Sequence, residues 1–499
     1  MDALGLLFQG FAVALQPLNL ALVFLGCLVG TLIGVLPGLG PISAVALLLP
    51  MVFALKLPPE SALILLAGIY YGAMYGGSTT SILLNVPGEA ASVVTALDGY
   101  KLAQRGQAGP ALAVAAWGSF IAGTLAVLAL MVLGPLVAKA ALRFGPAEYF
   151  ALTVFALSSL SALGGRNLAK ALLATALGLL LATVGQDPQA GISRFTLGLM
   201  PLEDGVDFVV VAIGLFAVSE VLLFLEAPQA RSTLAPLGRV YLSLRDFLFS
   251  LGSILRGTGV GFFVGLLPGA GASVASFLAY MVEKRWLGPR GRLGEGDLRG
   301  VASPESANNA AAGGALVPLL TLGLPGSGTT AVMLAALMSL GVTPGPQMFE
   351  KHPQVVWGLI ASMYVGNLIL LVLNLPLVVL FVQVLRVPAY YLLPSILAIS
   401  FVGVYAVNHN PFDLLLMTAF GFLGYLLRKL EVPLPPILLG LVLGYLMEIN
   451  LRRALILGAG DPGYLFGSPT ALAFWGLSAL VLLLSLVWAK GRPGGGEGQ

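Results

Sequence analysis

Long apolar runs constrain the fold of this chain more than any other feature of its sequence. Several reach the roughly 20 residues that cross a hydrocarbon core as a helix, and examples are 111–137, 206–225, 355–384 and 470–488. Charged residues make up only 9% of the 499 residues, whereas soluble domains carry about 25%. The sequence therefore predicts an all-α polytopic membrane protein in contact with the lipid bilayer, without a separate soluble domain.

Charge and motif content narrow the function classes further. The net charge of +3 is small and no basic stripe suits nucleic acid, so we expect no nucleic-acid partner. The single cysteine, Cys27, excludes an intramolecular disulfide and a cysteine metal cluster. No Lys precedes Ser or Thr, and neither H-E-x-x-H nor G-x-S-x-G occurs. We therefore expect no enzyme, no metal site and no cofactor, and any transport must draw on an ion gradient.

Three motifs recur in the same order in the two halves of the chain. The pairs are G-V-L-P-G-L-G at 34–40 with G-L-L-P-G-A-G at 265–271, residues 76–88 with 313–326, and P-A-E-Y at 146–149 with P-A-Y-Y at 388–391. The shared order favours duplication of one half. It predicts a first transmembrane repeat (1–225), a linker (226–246), a second transmembrane repeat (247–449), a C-terminal transmembrane helix (450–489) and a disordered tail (490–499).

Lys and Arg in matching loops predict that the two repeats are inverted. Loop 164–170 is basic whereas its counterpart 406–413 has no Lys or Arg, and the acidic loop 186–203 matches a basic one. Cytoplasmic loops are enriched in Lys and Arg, so matching loops of different charge are expected on opposite faces of the membrane. The chain is expected to form about 11 to 12 membrane segments. Three arginines then lie on the less basic face: Arg143, Arg452 and Arg453.

Each repeat contains two apolar segments interrupted beside proline and glycine, a re-entrant or broken one at P-G-x-G and a broken helix at P-G. The most informative stretch, 304–330, opens with an acid and two amides, runs apolar and breaks at Leu324, Pro325 and Gly326. Proline lacks a backbone donor and glycine tolerates non-helical backbone, so the break leaves main-chain groups unpaired. Such backbone survives at membrane depth only inside protein or along a polar cavity.

The helices that restart after the breaks predict an anion site. A helix N-terminus presents free N–H groups and a partial positive charge, which favour carboxylate or phosphate. The predicted restarts are Ala44, Ala90, Ala272 and Thr329. Hydroxyl and amide side chains near the breaks serve either an anion or a cation. The set therefore suits an anion that is carried together with a cation.

Glycines and acids near the breaks have alternative interpretations. Four-residue spacing is typical of close helix packing rather than of binding, and it applies to Gly26, Gly30, Gly34, Gly261 and Gly265. Ionisable residues in apolar surroundings cost about 2.5 to 3.5 kcal/mol on insertion scales, so Glu305 and Glu89 are candidates for cation coupling. Glu305 is alternatively a charge at a helix N-terminus after Pro304, and Glu89 a first-turn residue of the restart at Ala90.

Four long motifs carry a family resemblance. They are G-V-L-P-G-L-G-P at 34–41, Y-G-G-S-T-T-S-I-L-L-N-V-P-G-E-A-A-S-V-V-T-A-L-D-G-Y at 75–100, G-L-L-P-G-A-G-A at 265–272, and the run from P-E-S-A-N-N to T-T-A-V-M-L at 304–334. They closely resemble the large membrane subunit of the tripartite tricarboxylate transporter family (TctA type), over nearly the whole chain. The resemblance implies a secondary-active permease of a bacterial inner membrane that works with a small membrane subunit and a periplasmic solute-binding protein. It also implies uptake of citrate or other carboxylates, driven by a sodium or proton gradient.

Motifs and resemblance together predict the site residues, which lie in or beside the breaks. The substrate-binding candidates are Pro37, Gly38, Gly40, Ser78, Thr79, Thr80, Asn85, Pro87, Gly88, Pro268, Gly269, Gly271, Asn308, Asn309, Pro325, Gly326, Ser327, Thr329 and Thr330. The cation-coupling candidates are Glu305, Ser81 and Glu89. We predict no catalytic and no metal-binding residue.

Two other functions remain open from the sequence. An anion channel would need a continuous polar pore rather than breaks capped by hairpins. An intramembrane enzyme would need a convergent set of acid, base or metal ligands, which the sequence does not show. The motifs therefore favour a cation-coupled carboxylate carrier.

Overall fold

The computed structural model describes residues 3–36, 38–163, 167–187, 189–226, 236–384 and 389–490. Most described elements are helices, and seven spans are long and apolar enough to cross a membrane: Pro17–Gly34, Ala108–Ala141, Phe208–Glu226, Leu244–Leu266, Pro353–Asn374, Pro411–Lys429 and Pro469–Val487. The all-α polytopic membrane class is confirmed. The inversion of the repeats and their boundaries stay predictions. Residues 491–499 of the predicted tail and 227–235 of the predicted linker lie outside the described residues.

The first half of the described chain contains ten helices and one short hairpin. The helices are α1 (Ala3–Ala14), α2 (Pro17–Gly34), α3 (Pro41–Ala54), α4 (Pro59–Leu84), α5 (Val93–Gln104), α6 (Ala108–Ala141), α7 (Pro146–Leu163), α8 (Leu168–Ala182), α9 (Phe208–Ala212) and α10 (Ser219–Glu226). A π-helical segment, Ile213–Val218, joins α9 to α10 in one continuous span. Strands β1 (Gly185–Gln186) and β2 (Ser193–Arg194) pair antiparallel between α8 and α9.

The second half of the described chain contains twelve further helices. They are α11 (Leu244–Leu266), α12 (Gly271–Leu287), α13 (Leu298–Gly314), α14 (Leu316–Leu322), α15 (Gly328–Ser339), α16 (Met348–Lys351), α17 (Pro353–Asn374), α18 (Val378–Val384), α19 (Ala389–Asn408), α20 (Pro411–Lys429), α21 (Pro435–Leu457) and α22 (Pro469–Lys490). Short 3₁₀ turns add to the connections: Ala90–Ser92, Met200–Leu202, Gly288–Arg290 and Pro462–Phe466.

Helix breaks occur at all four positions that the sequence predicts. They separate α2 from α3, α4 from α5, α11 from α12 and α14 from α15. The predicted restart at Ala44 is wrong, because α3 already begins at Pro41. Proline fits the first helical position, where its missing N–H is not needed. The other restarts lie at or next to their predicted positions, at Ala90, Gly271 and Gly328.

The apolar run 355–384 forms two helices instead of one continuous segment. Helix α17 ends at Asn374 and α18 begins at Val378. Pro376 lies between them, and its ring both removes a backbone donor and clashes with the preceding turn. Apolar composition alone therefore overstated the length of this helix.

Two pairs of parallel helices pack at very short distance through glycine. A Cβ on Gly30 of α2 would lie 2.3 Å from the carbonyl oxygen of Ile69 in α4. A Cβ on Gly261 of α11 would lie 2.2 Å from the carbonyl oxygen of Ala307 in α13. The same close approach to backbone oxygen applies to Gly26, Gly34 and Gly265. The predicted packing role of these five glycines is confirmed.

The two ends of α6 define the two faces of the molecule. At the Ala108 face, Asp98 of α5 accepts hydrogen bonds from Gly294 N (2.8 Å), Gly296 N (2.8 Å) and the Tyr280 hydroxyl (2.8 Å). Asp98 therefore fixes the loop between α12 and α13 against the first half of the chain. The Ala141 face carries the ends of α14 and α15 and the segment 341–352, which meet the C-terminus of α6 around one cavity.

The remaining long helices form a scaffold beside the broken ones. Helix α21 packs against α7 and α8, α22 packs against α7, and α20 packs against the span Phe208–Glu226. Helices α6 and α17 lie against α4, and α6 also lies against α13. The broken helices thus pack against the long ones.

An ion cluster holds the β1–β2 hairpin to the scaffold. Arg452 of α21 donates to Asp187 (2.6 Å) and to Glu448 (2.6 Å), and Arg194 of β2 donates to Glu448 (2.7 Å). Hydrogen bonds from Arg452 and from the backbone of residues 189 and 190 hold the pKa of Asp187 well below its ordinary value of 3.8. The charge of Arg452, which the sequence places on the less basic face, is therefore neutralised here.

We predict that Gly261→Ala destabilises the protein and that Gly259→Ala, on the same helix, does not. A Cβ at 261 meets the α13 backbone, whereas one at 259 has nothing within 4 Å. Overpacking costs about 1 to 3 kcal/mol, while an unhindered Gly→Ala change in a helix gains up to about 1 kcal/mol. The apparent midpoint of thermal unfolding in detergent measures both. Equal midpoints for the two variants would contradict the close packing of α11 on α13.

The low pKa of Asp187 predicts a stability contribution that depends on pH. A carboxyl group whose pKa is depressed on folding stabilises the fold above its unfolded pKa and loses this effect as pH falls through its folded pKa. We expect Asp187→Asn to lower the unfolding midpoint at pH 7, and the difference from wild type to shrink below about pH 4. Asp204→Asn, which changes an exposed acid in the same loop, is the control. A difference that stays constant down to pH 3 would refute the assignment.

Candidate functional site

The four helix breaks meet around one central cavity of about 470 Å³. Each break contributes backbone and small side chains to its lining. The contributions are Gly38 and Gly40 from the first break, Pro87 to Ala91 from the second, Gly269 to Val274 from the third and Ser327 to Thr329 from the fourth. Segments far apart in the chain therefore share one space, which we call the central cavity.

Some predicted substrate-binding residues line the central cavity and others do not. The residues in the lining are Gly38, Gly40, Pro87, Gly88, Gly269, Gly271, Ser327 and Thr329, together with the coupling candidate Glu89. The residues outside the lining are Ser78, Thr79, Thr80, Asn85, Pro268, Asn308, Asn309, Pro325, Gly326 and Thr330, together with the coupling candidates Ser81 and Glu305. Pro37 lies outside the described residues. Binding by any of them stays a prediction.

The two P-G-x-G breaks have the same backbone form. Gly38 has φ +85° and Gly269 has φ +82°, a left-handed conformation that residues with a Cβ rarely adopt. Each glycine also lies next to a scaffold helix. A Cβ on Gly269 would lie 2.5 Å from Leu160 Cα of α7, and one on Gly38 would lie 2.6 Å from Glu220 Oε1 of α10. Conformation therefore favours glycine at both positions, and at 269 the neighbouring backbone also leaves no space for a side chain.

The two P-G breaks turn back against their own helices. Asn85 ends α4 in the left-handed conformation, and Gly323 does the same after α14. A Cβ on Gly88 would lie 2.8 Å from Gly77 Cα of α4, and one on Gly326 would lie 2.8 Å from Ala315 Cα, directly before α14. Asn85 and Gly326 are thus explained by the shape of the turn, which accounts for their place outside the lining.

Three α-helices begin at the central cavity. Their first residues, Pro41, Gly271 and Gly328, all belong to its lining. The first four N–H groups of a helix have no partner within the helix, and its dipole places partial positive charge at that end. Ser327 and Thr330 satisfy part of this need at α15, because Thr330 N donates to Ser327 Oγ (3.3 Å) and Ser327 N to Thr330 Oγ1 (2.8 Å). The cavity is therefore electropositive along its backbone.

The lining of the central cavity contains two ionisable side chains, Arg428 and Glu89. Arg428 of α20 lines it and donates a hydrogen bond to Glu220. Glu89 also lines it, is 6% exposed, and its Oε1 has no hydrogen-bond partner among the described residues. Ser81 lies behind Glu89, because it donates to Ser92 Oγ (2.8 Å), which in turn accepts from Glu89 N (3.4 Å).

Glu305 belongs to a separate buried cluster on α13. Thr95 and Asn308 (3.0 Å) donate to its carboxylate, and Asn309 donates to Ser119 of α6 (2.8 Å). The alternative that Glu305 is a charge at a helix N-terminus is wrong, because α13 begins at Leu298 and continues through Pro304. Asn308 therefore contacts the Glu305 carboxylate, and Asn309 contacts Ser119 and the Glu305 carbonyl.

Hydroxyl groups on α4 bond to their own helix. Ser78 donates to the Tyr75 carbonyl (2.8 Å) and Thr80 to the Gly77 carbonyl (3.2 Å). This local pairing explains why the run 78–80, although rich in hydroxyls, does not line the cavity. Sequence reasoning also missed Tyr70 and Arg428 as lining residues. Arg428 carried one signal, since it is an ionisable residue at the end of an apolar helix.

Comparison with known proteins identifies the family. A sequence model of the tripartite tricarboxylate transporter TctA family matches residues 20–439, which include all four breaks. The chain belongs to this family. As a TctA-family protein it is a transmembrane transport protein, the membrane subunit of a tripartite tricarboxylate transporter. No solved structure matches the chain.

Two relatives of this TctA-family chain come from Agrobacterium vitis. One, named as an uncharacterized 52.8 kDa protein in the TAR-I ttuC′ 3′ region, is 45% identical over 487 residues and covers 97% of both chains. The other, named as an uncharacterized protein in the TAR-II ttuC′ 3′ region, is 43% identical over 227 residues, which is 46% of this chain and 94% of the relative. The first relative therefore matches this chain over almost its full length.

We predict that Gly269→Ala impairs the protein more than Gly271→Ala. Both glycines have positive φ (+82° and +66°), so both changes strain the backbone. Only the Cβ at 269 meets a neighbour, the α7 backbone at Leu160, whereas position 271 has nothing within 4 Å. We expect a further loss of about 1 to 3 kcal/mol for Gly269→Ala, measured as a lower unfolding midpoint and lower uptake in proteoliposomes. Equal effects would show that α7 does not hold the third break.

Proposed function

We propose that this chain is the large permease subunit of a binding-protein-dependent secondary transporter that imports tricarboxylates or related carboxylates, driven by a sodium or proton gradient. The observation that carries the proposal is the meeting of three helix N-termini at one cavity. Open N–H groups and aligned dipoles at helix N-termini form a ready anion site. A volume of about 470 Å³ lies within the range of about 300 to 1,000 Å³ that small-molecule sites occupy.

Arg428 supplies the charge that a carboxylate substrate needs. It is the basic residue in the described lining of the central cavity, and a guanidinium binds a carboxylate with two parallel N–H donors. Its present partner, Glu220, is itself a carboxylate. The pair therefore models the contact that a substrate carboxylate would make, and the helix N-termini would hold the further carboxylates of a larger acid.

Glu89 is the coupling site that the geometry favours. The Oε1 atom of the buried Glu89 lacks a hydrogen-bond partner among the described residues. Because an unpaired buried carboxylate oxygen is unfavourable, we infer that Glu89 binds a proton or a cation during transport. Its negative charge would also repel an anion in the same cavity. A proton or sodium ion on Glu89 would remove that repulsion, and each ligand would then bind more tightly in the presence of the other, which is the requirement for coupling. Ser81 and Ser92 orient the Glu89 backbone, and Glu305 is the second candidate.

A carrier fits the arrangement better than a channel does. Among the described residues, the central cavity and the cavity at the Ala141 face are separate spaces. The break between α14 and α15 lies between them, with Leu324 facing one cavity and Ser327 the other. A wall of this kind supports alternating access, in which the hairpins move against the scaffold.

The partners and the membrane follow from the family and from charge. A tripartite system implies a periplasmic solute-binding protein and a small membrane subunit beside this chain. The Ala108 face carries the basic loop 284–299, since Arg105 of α5 lies against Gly296. Basic loops are retained in the cytoplasm, so the Ala108 face would be cytoplasmic and the Ala141 face periplasmic in a bacterial inner membrane.

The test is uptake into proteoliposomes that contain this chain and its small subunit. With an added binding protein and an imposed sodium or proton gradient, we expect accumulation of at least one member of a panel of di- and tricarboxylates. We expect Glu89→Gln to lower gradient-driven accumulation by roughly tenfold or more, the size of a typical coupling free energy, while exchange of internal for external substrate continues.

Glu60→Gln is the matched control, because Glu60 lies in the first turn of α4 and outside the cavity. Its accumulation should equal that of wild type. Carboxylate flux through the wild-type protein that does not depend on the imposed ion gradient would favour a channel. Full accumulation by Glu89→Gln would remove Glu89 from the coupling step and leave Glu305 to be examined by the same assay.

A further inference from the structure

A second cavity, of about 670 Å³, opens at the Ala141 face. It lies between the C-terminus of α6, the N-terminus of α7, the break after α14, the segment 341–352 and the end of α21. No predicted site residue belongs to its lining. We call this space the outer vestibule.

The lining of the outer vestibule includes two basic side chains. Lys351 and Arg453 both belong to its lining, with His352 beside them, and no Asp or Glu does so among the described residues. Neither Lys351 nor Arg453 makes an ion pair in the described part of the chain, whereas the adjacent Arg452 is paired with Asp187 and Glu448. The lining also includes the polar residues Tyr149, Thr153 and Asn450, beside apolar ones such as Phe144 and Met348. The vestibule therefore offers two cations without an ion-pair partner among the described residues, in a pocket of mixed polar and apolar lining.

The acids nearest in sequence do not neutralise these cations. Glu148 accepts a hydrogen bond from Gly145 N (2.9 Å) and so caps the start of α7. Glu350 is exposed and lies outside the lining. Lys and Arg are selected against on the non-cytoplasmic side of membrane proteins. Lys351 and Arg453 line one cavity on the less basic face without a neutralising acid in its described lining, which suggests that an anionic ligand binds there.

The outer vestibule and the central cavity share a wall. Gly323 and Leu324 line the vestibule, while Ser327 and Gly328 line the central cavity. The wall is one of the four breaks, where the backbone is already non-helical. An anion held in the vestibule would therefore lie directly outside the loop that must move to admit it.

We propose that the outer vestibule is a binding site for a free di- or tricarboxylate, which Lys351 and Arg453 hold at the Ala141 face before it enters the central cavity. The proposal rests on the proposed function only for its choice of carboxylate. Two separate cations match an acid with two or more carboxylates better than they match a monovalent anion. A pocket lined with charge of one sign also raises the local concentration of the opposite charge.

The proposal is tested by labelling a cysteine in the vestibule. Gln347 is exposed and lines the vestibule, and the natural cysteine, Cys27, is buried. The full chain with Gln347→Cys is placed in nanodiscs of zwitterionic lipid. Its rates of reaction with an anionic sulfonate and a cationic trimethylammonium methanethiosulfonate are then compared.

We expect the anionic reagent to be favoured, and citrate to slow labelling more than sulfate does at equal ionic strength. Adding Lys351→Gln and Arg453→Gln should lower the ratio of anionic to cationic rates by roughly tenfold at low salt and abolish the protection by citrate. The control is Lys56→Gln, which removes an exposed positive charge outside the vestibule lining and should leave the ratio unchanged.

Three outcomes would overturn the proposal. The first is a ratio that Lys351→Gln and Arg453→Gln do not change. The second is protection by phosphatidylglycerol in the nanodisc but not by citrate, which would make the vestibule a lipid site. The third is protection only by a binding protein, which would make it a docking surface. Labelling requires no transport, so absence of uptake by wild type would refute the proposed function and leave this result standing.

Discussion

The fold depends on one constraint, which is that main-chain groups opened inside an apolar body must find partners there. Each break exposes N–H and C=O groups that lipid cannot satisfy. Some of these main-chain groups bond to another break. Gly269 N in the third break donates a hydrogen bond to Gly326 O in the fourth break (3.0 Å). Other main-chain groups bond to capping side chains, such as Ser327 at the start of α15. Three helices begin at the central cavity, where Pro41, Gly271 and Gly328 belong to its lining, and under the proposed function their first N–H groups would bind the anion.

The breaks and the close packing could be predicted from the sequence because both are local. Proline and glycine mark an interrupted helix wherever it lies, and glycine at four-residue spacing marks a face on which another helix packs, as Gly261 does on α13. The lining of the cavity could not be predicted in the same way. Asn308 and Asn309 lie near a break in sequence, but α13 stays helical there and directs them to Glu305 and Ser119. Arg428 reaches the cavity from a helix remote in sequence, and no local pattern encodes that contact.

The two cavities differ in how they present positive charge. In the central cavity it comes from helix N-termini and a paired Arg428, with Glu89 opposing it. In the outer vestibule it comes from free side chains without an opposing acid in the described lining. Mobile side chains attract an anion over a distance, whereas fixed backbone dipoles act within about one helical turn. Under the two proposals, the vestibule would therefore capture the anion and the central cavity would bind it selectively.

Gly38 links the shape of the first break to the charge of the central cavity. A Cβ at this position would lie 2.6 Å from Glu220 Oε1, so the absence of a side chain leaves room for the Glu220 carboxylate. Glu220 in turn accepts the hydrogen bond of Arg428. Breaking such a partly buried pair leaves an uncompensated charge, which is strongly unfavourable. Glu220 therefore holds Arg428 at the cavity, and movement of the break between α2 and α3 relative to α10 would change the space that Glu220 occupies. Under the proposed function, a carboxylate in the cavity would compete for the same guanidinium, so the position of the first break and binding of the substrate would both act on the Arg428–Glu220 pair.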